Sequence, residues 1–114
     1  MKVKATWKSF EREVAKYFGT TRFIPQTTND KKASCDFATD TIIGECKYRR
    51  YPPTGKEIAE WLQTVCNRAG RENKAGVLCF KAKGGRGFWV VERTLDGEPF
   101  MWHSSWRKPV KADL

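Results

Sequence analysis

Glu45 and Lys47 stand in the run Ile42-Ile43-Gly44-Glu45-Cys46-Lys47-Tyr48, with Asp36 a short step upstream. Alternate side chains of a β-strand share a face, so this run predicts Glu45 and Lys47 projecting together while Cys46 turns into apolar packing. Asp36 is then placed to meet them from a neighbouring strand. Two carboxylates converging on one point hold a hard divalent cation, Mg²⁺ or alternatively Mn²⁺, and an adjacent ammonium positions or polarises a water for attack on a phosphodiester. The chemistry these residue types allow is metal-assisted hydrolysis of a nucleic-acid backbone.

A bare Glu-x-Lys is also ordinary on a solvated strand face, where the two charges form a cross-sheet pair. Context adds to it here. Asp36 opens an apolar strand start, Phe37-Ala38, where a buried acid needs a partner or a metal. The β-branched residues before Glu45 indicate an interior strand, and Glu11 falls on the first helix.

The elements that must position these groups follow from periodicity. Trp7, Phe10, Val14, Tyr17 and Phe18 keep the rhythm of a helix with one buried side, with Thr6 to cap it and Gly19 to end it. Residues 22–25 suit a short strand, and 26–34 read as an exposed polar loop. Cys35 to Ala38 and Thr41 to Tyr48 read as a hairpin turning near Thr39-Asp40. After Arg49-Arg50-Tyr51-Pro52-Pro53, Thr54 and Glu57 have the spacing of a capping box, and Ile58, Trp61, Leu62, Val65, Cys66 and Ala69 share one face of a second helix. Strands at Ala75–Lys83 and Phe88–Glu92 flank a Gly84-Gly85-Arg86-Gly87 turn, which lacks the Lys-Ser/Thr of a nucleotide-binding loop. From Thr94 on, turn residues, aromatics and cations mix without a period that selects helix or strand. The order α-β-β-β-α-β-β predicts a small α/β domain: a central mixed sheet flanked by helices, with the second helix crossing over to allow parallel pairing of the Glu45 and Val77 strands.

A chain of 114 residues is one domain with one core, residues 94–114 forming an extension. Its formal net charge of +9 favours polyanions, chiefly nucleic acid, although a basic protein without such a partner carries the same charge. The 4 cysteines, Cys35, Cys46, Cys66 and Cys79, form no C-x-x-C pair and read as buried thiols of a reduced, cytoplasmic protein. His103 has no second His or Cys at ligand spacing, which argues against zinc. The N-terminal Met-Lys-Val-Lys passes directly into an amphipathic pattern, so neither a signal peptide nor a membrane span is expected.

With these residues together, the chain resembles the PD-(D/E)XK nuclease superfamily and, within it, the archaeal-type and phage Holliday junction resolvases. The resemblance is carried by Glu11-Arg12-Glu13 in Phe-Glu-Arg-Glu-Val-Ala-Lys-Tyr-Phe, by Asp36 in Ala-Ser-Cys-Asp-Phe and by Gly-Glu45-Cys46-Lys47-Tyr, and it runs to about Glu92. Cys35 stands where the superfamily's name has proline. The resemblance implies a restriction-endonuclease-like core, and Asp36, Glu45 and the Cys46 backbone carbonyl as metal ligands. It further implies Lys47 orienting the water, and Glu11 acting through a metal-bound water. Glu13 is a reserve candidate, its plainer role being a surface partner of Lys16 or Lys8. The activity implied is Mg²⁺-dependent cutting of four-way DNA junctions by a homodimer, in phage or cellular recombination and repair.

Cations flank the proposed site: Lys31 and Lys32 before Asp36, Arg49 and Arg50 after Lys47, with Arg22, Lys81, Lys83 and Arg86 extending the patch. Such groups fix a duplex in register without reading sequence. Trp61, Leu62 and Val65 serve either to pack helix two on the sheet or to form a two-fold dimer seam. Trp102, Trp106, Arg107, Lys108 and Lys111 could stack on or track nucleic acid, or complete the core or seam.

Overall fold

Helix α1 (Trp7–Tyr17) forms because its apolar residues recur on one stripe, and it buries Phe10, Glu11, Val14 and Ala15. Helix α2 (Gly55–Arg71) starts at the expected capping box: the Glu57 amide donates to Thr54 Oγ1 at 3.2 Å, and the Thr54 amide donates to Glu57 Oε1 at 3.0 Å. Its buried stripe is Ile58, Leu62, Val65 and Ala69. In this computed structural model residues 7–20, 36–105, 110–112 and 114 are described. The expected strand at 22–25 and loop at 26–34 lie outside them, as do Arg22, Lys31, Lys32, Cys35, Trp106, Arg107 and Lys108.

The strands are β1 (Phe37–Ala38), β2 (Ile42–Arg49), β3 (Ala75–Ala82), β4 (Trp89–Arg93), β5 (Pro99–His103) and β6 (Val110–Lys111). They build one six-stranded mixed sheet in the order β1-β2-β3-β4-β5-β6. β2 and β3 run parallel across the α2 crossover, with Glu45 beside Leu78, while the other neighbours are antiparallel. The α/β sheet flanked by two helices is as expected. Its order among the described residues is α-β-β-α-β-β-β-β, because the tail from Thr94 supplies two further strands.

Each helix covers one face of the sheet. α1 packs with Phe37, Val77, Cys79, Phe88 and Val90, joined by Cys46, Tyr48 and Trp102. Trp102 donates its indole N–H to the Tyr17 hydroxyl at 3.1 Å, so this tail tryptophan completes the core. α2 packs with Ile43, Leu78, Phe80 and Val91, joined by Trp89 and Met101. Leu62 and Val65, expected as candidates for a dimer seam, are 1% and 2% exposed within this second layer. Their apolar spacing serves the chain's own core; of the three seam candidates, Trp61 alone is half-exposed.

Two glycines set how closely these layers approach. A Cβ on Gly44 would fall on the Phe37 ring, and one on Gly76 would lie 2.7 Å from the Cys66 backbone Cα in α2. The second neighbour is main chain and cannot swing away. Gly76→Ala is therefore expected to lift α2 from the sheet and remove about 2 kcal/mol of stability, measured by urea denaturation. No helix among the described residues is long and apolar enough to cross a membrane.

Candidate active site

β1 and β2 bring the first two candidates together. Phe37 and Gly44 are paired across the hairpin, so Asp36 stands one step beyond β1, level with Glu45. Its amide donates to the Gly44 carbonyl at 2.9 Å, and its Oδ2 accepts the Cys46 amide at 2.6 Å. The aspartate side chain thus takes over the ladder where β1 ends. The carbonyl of a strand residue points to the same side as its amide, so the Cys46 carbonyl also faces this edge. The edge of β2 therefore gathers the Asp36 carboxylate and the Cys46 backbone, with Glu45 level with Asp36.

Lys47 joins them by strand alternation. Its Nζ lies 3.6 Å from Glu45 Oε2, both side chains being a little over one quarter exposed. Glu45 is pushed up from 4.5 to about 7, first by burial and next by the charge of Asp36, while Lys47 and Arg68 pull it back. Two carboxylates that repel one another in a half-buried edge are a donor set a divalent cation relieves, so these residues fit Mg²⁺. Among the described residues, no group of three or more His, Cys, Asp or Glu side chains gathers to hold a metal.

Cys46 turns to the other face, as alternation requires, and burial pushes its thiol well up. Glu11 is found there too. It is 8% exposed under α1, and its charge acts on the Cys46 thiol. Glu45 and Lys47 face α2, so the structure does not bring Glu11 onto their face. The reason is topological: α1 covers the side of β2 that bears Cys46 and Tyr48, where Phe10 and Tyr48 rings are 6.0 Å apart. Glu13, the reserve candidate, pairs with Lys81 at 3.6 Å rather than with Lys16 or Lys8.

The cations divide. Arg49 sits over the Trp61 ring at 5.0 Å, and Lys47 over the same ring at 5.5 Å. Arg50 lies over Tyr51 at 6.0 Å, and both arginines are exposed at the end of β2. Lys81 is on the α1 face, whereas Lys83 and Arg86 are exposed around the β3–β4 turn.

Two contributors escaped the sequence reading. Trp61 is the platform under Lys47 and Arg49, and Arg68 supplies positive charge to Glu45. Their spacing carried a signal, since Trp61, Val65 and Arg68 follow the i, i+4, i+7 pattern that places an arginine on the sheet-facing side of α2. The chain matches no known family model, no curated protein and no solved structure.

Proposed function

We propose that this chain is a metal-dependent DNA endonuclease that resolves four-way junctions by paired nicks as a homodimer. The observation that carries the reading is the meeting of Asp36, Glu45 and Lys47 at one edge of β2, with the Cys46 carbonyl turned to the same edge. Asp36, Glu45 and that carbonyl would hold Mg²⁺, or Mn²⁺ in its place. When bound, the ion supplies Lewis-acid polarisation of the phosphate and a more acidic water. The protein's own share is orientation. Lys47, held between Glu45 and Trp61, presents its ammonium to the scissile phosphate, and Arg49 beside it holds the neighbouring backbone. Glu11, on the opposite side of β2, is assigned to electrostatic support from beneath the strand.

The junction substrate and the dimer are supported by the resemblance to resolvases, since two symmetric nicks need two symmetric sites. The half-exposed Trp61 is the residue offered to that seam. A setting inside the cell, such as a phage enzyme in its bacterial host, is supported by Cys46, Cys66 and Cys79, which are free thiols. A second reading, a basic DNA-binding protein without catalysis, is favoured by the Glu45–Lys47 contact at 3.6 Å, which on its own is an ordinary ion pair.

The test is cleavage of end-labelled four-way junction, flap and linear duplex side by side, with Mg²⁺ or EDTA. Symmetric paired nicks confined to the junction and absent in EDTA are expected. Cutting of flaps or linear DNA would widen the substrate to that of another nicking, flap or restriction-type nuclease. Tight salt-dependent binding without any cutting would establish the binding protein instead.

A further inference from the structure

One cross-sheet row links the candidate site to a cavity that the cleavage chemistry does not use. Lys47 on β2 is level with Phe80 on β3, Phe80 with Trp89 on β4, and Trp89 with His103 on β5. All four therefore project from the α2 face. Beyond Lys47 the row becomes the wall of a cavity of about 260 Å³ formed by Phe80, Trp89 and His103 with Pro53, Gly87 and Arg86.

Its chemistry is specific. Phe80, Trp89 and Pro53 give flat apolar walls, and the Trp89 and His103 rings meet edge to face at 5.1 Å. The Ser105 amide donates to His103 Nδ1 at 3.3 Å and Ser105 Oγ lies 2.7 Å from the same nitrogen, which turns the Nε2 edge of the ring away from Ser105. That edge is turned toward the β3–β4 turn: a Cβ on Gly87 would lie 2.6 Å from His103 Cε1 and 3.3 Å from Nε2. Any side chain at that position would collide with the His103 ring. Lys81 is drawn off to Glu13, and Arg86 is the exposed guanidinium on the rim.

We propose that this cavity takes one unpaired nucleobase from the strand being cut, stacked against Trp89 and Phe80 with its phosphate toward Arg86, a proposal that rests on the DNA-cleaving reading above. Its volume is below the roughly 300–1,000 Å³ of pockets that enclose whole drug-sized ligands, and suits a single flat ring system. Neighbouring strands are about 4.8 Å apart, so β3 and β4 lie roughly 5 and 10 Å from the Lys47 strand. At a stacked rise of about 3.4 Å, that reach spans roughly one to three nucleotides. A base so near the cut must leave its stack, which a branch point permits and an intact duplex resists. The pocket thereby supplies a physical reason for preferring branched DNA.

The experiment uses the full chain in EDTA, where cleavage is off, with four-way junction and duplex DNA carrying one unpaired 2-aminopurine within three nucleotides of the branch or bulge. Stacking is expected to quench its fluorescence at one position, and binding to exceed that of fully paired duplex about tenfold. Trp89→Leu, which removes the stacking ring and keeps an apolar side chain in the core, should restore the fluorescence. Ala82→Phe, which fills the cavity, should bring the ratio of the two affinities to about one, a ratio that partial loss of folded protein does not alter. Unquenched aminopurine in tightly bound DNA, or an affinity ratio that survives Ala82→Phe, would overturn the pocket and leave the metal site standing. Quenching without Mg²⁺-dependent cleavage would support the pocket and overturn the nuclease.

Discussion

Glu45→Gln is expected to lower single-turnover cleavage of a four-way junction in Mg²⁺ by at least about a thousandfold while DNA binding in EDTA is kept or strengthened. The substitution preserves volume and leaves an oxygen to face Lys47, so the edge of β2 need not rearrange. What is lost is the negative charge that, with Asp36, draws a divalent cation. Removing an anion beside the phosphate path can only favour the approach of DNA. Asp36→Asn should behave alike, because the amide oxygen can still accept the Cys46 amide now held at 2.6 Å. Lys47→Ala leaves both carboxylates and should cost about 10²–10³-fold, the range for a positioned group that stabilises developing charge. Cleavage unchanged in Glu45→Gln would remove Glu45 from the active site and sink the Asp36–Glu45–Lys47 assignment whatever the DNA affinity.

The pH dependence of stability provides a test that needs no DNA. Glu45 titrates at about 7 in the folded chain against 4.5 for an ordinary glutamate, so between these values the folded state binds more protons than the unfolded one. Stability therefore falls as pH rises through this window. The full loss from this group is up to about 3 kcal/mol. In metal-free protein the melting temperature should drop on the order of 10 °C from pH 5 to pH 8, and Glu45→Gln should flatten the profile. Millimolar Mg²⁺ should restore stability at pH 8 and do little at pH 5, where a proton already neutralises Glu45. A wild-type profile as flat as that of the variant would mean that burial and the charge of Asp36 do not hold the Glu45 carboxyl above its ordinary range.

The local parts of this site were legible in the chain. Alternation in Glu45-Cys46-Lys47 and the Thr54–Glu57 capping box depend on near neighbours and reappear in the structure, and the parallel pairing with the Val77 strand follows from the length of the α2 crossover. The placement of Glu11 was not legible. Helical spacing says which side of α1 is buried, but nothing in that spacing says which face of the sheet the helix covers. Leu62 and Val65 failed as seam candidates for a related reason, because an apolar stripe reads alike whether it meets its own sheet or a second copy. The tail did carry a signal. Asp96-Gly97 is a strong hairpin cue, and Gly97 has φ 87° between β4 and β5, but the polar Arg93-Thr94 and the Pro99 beside it mask the alternation.

The strand order has a consequence for how the chain reaches this state. Every neighbouring pair in the sheet is also consecutive in sequence, so most of the ladder can zip up through short turns at small entropic penalty. The closure of β2 on β3 around α2 is the long-range step in this ladder. Asp36 and the Cys46 amide are only ten residues apart within the first hairpin, and Phe80, Trp89 and His103 lie on consecutive antiparallel strands, whereas Lys47 joins Phe80 only through that closure. The two carboxylates and the cavity wall are thus each set by pairing of consecutive strands, and the parallel closure is what brings the one into register with the other.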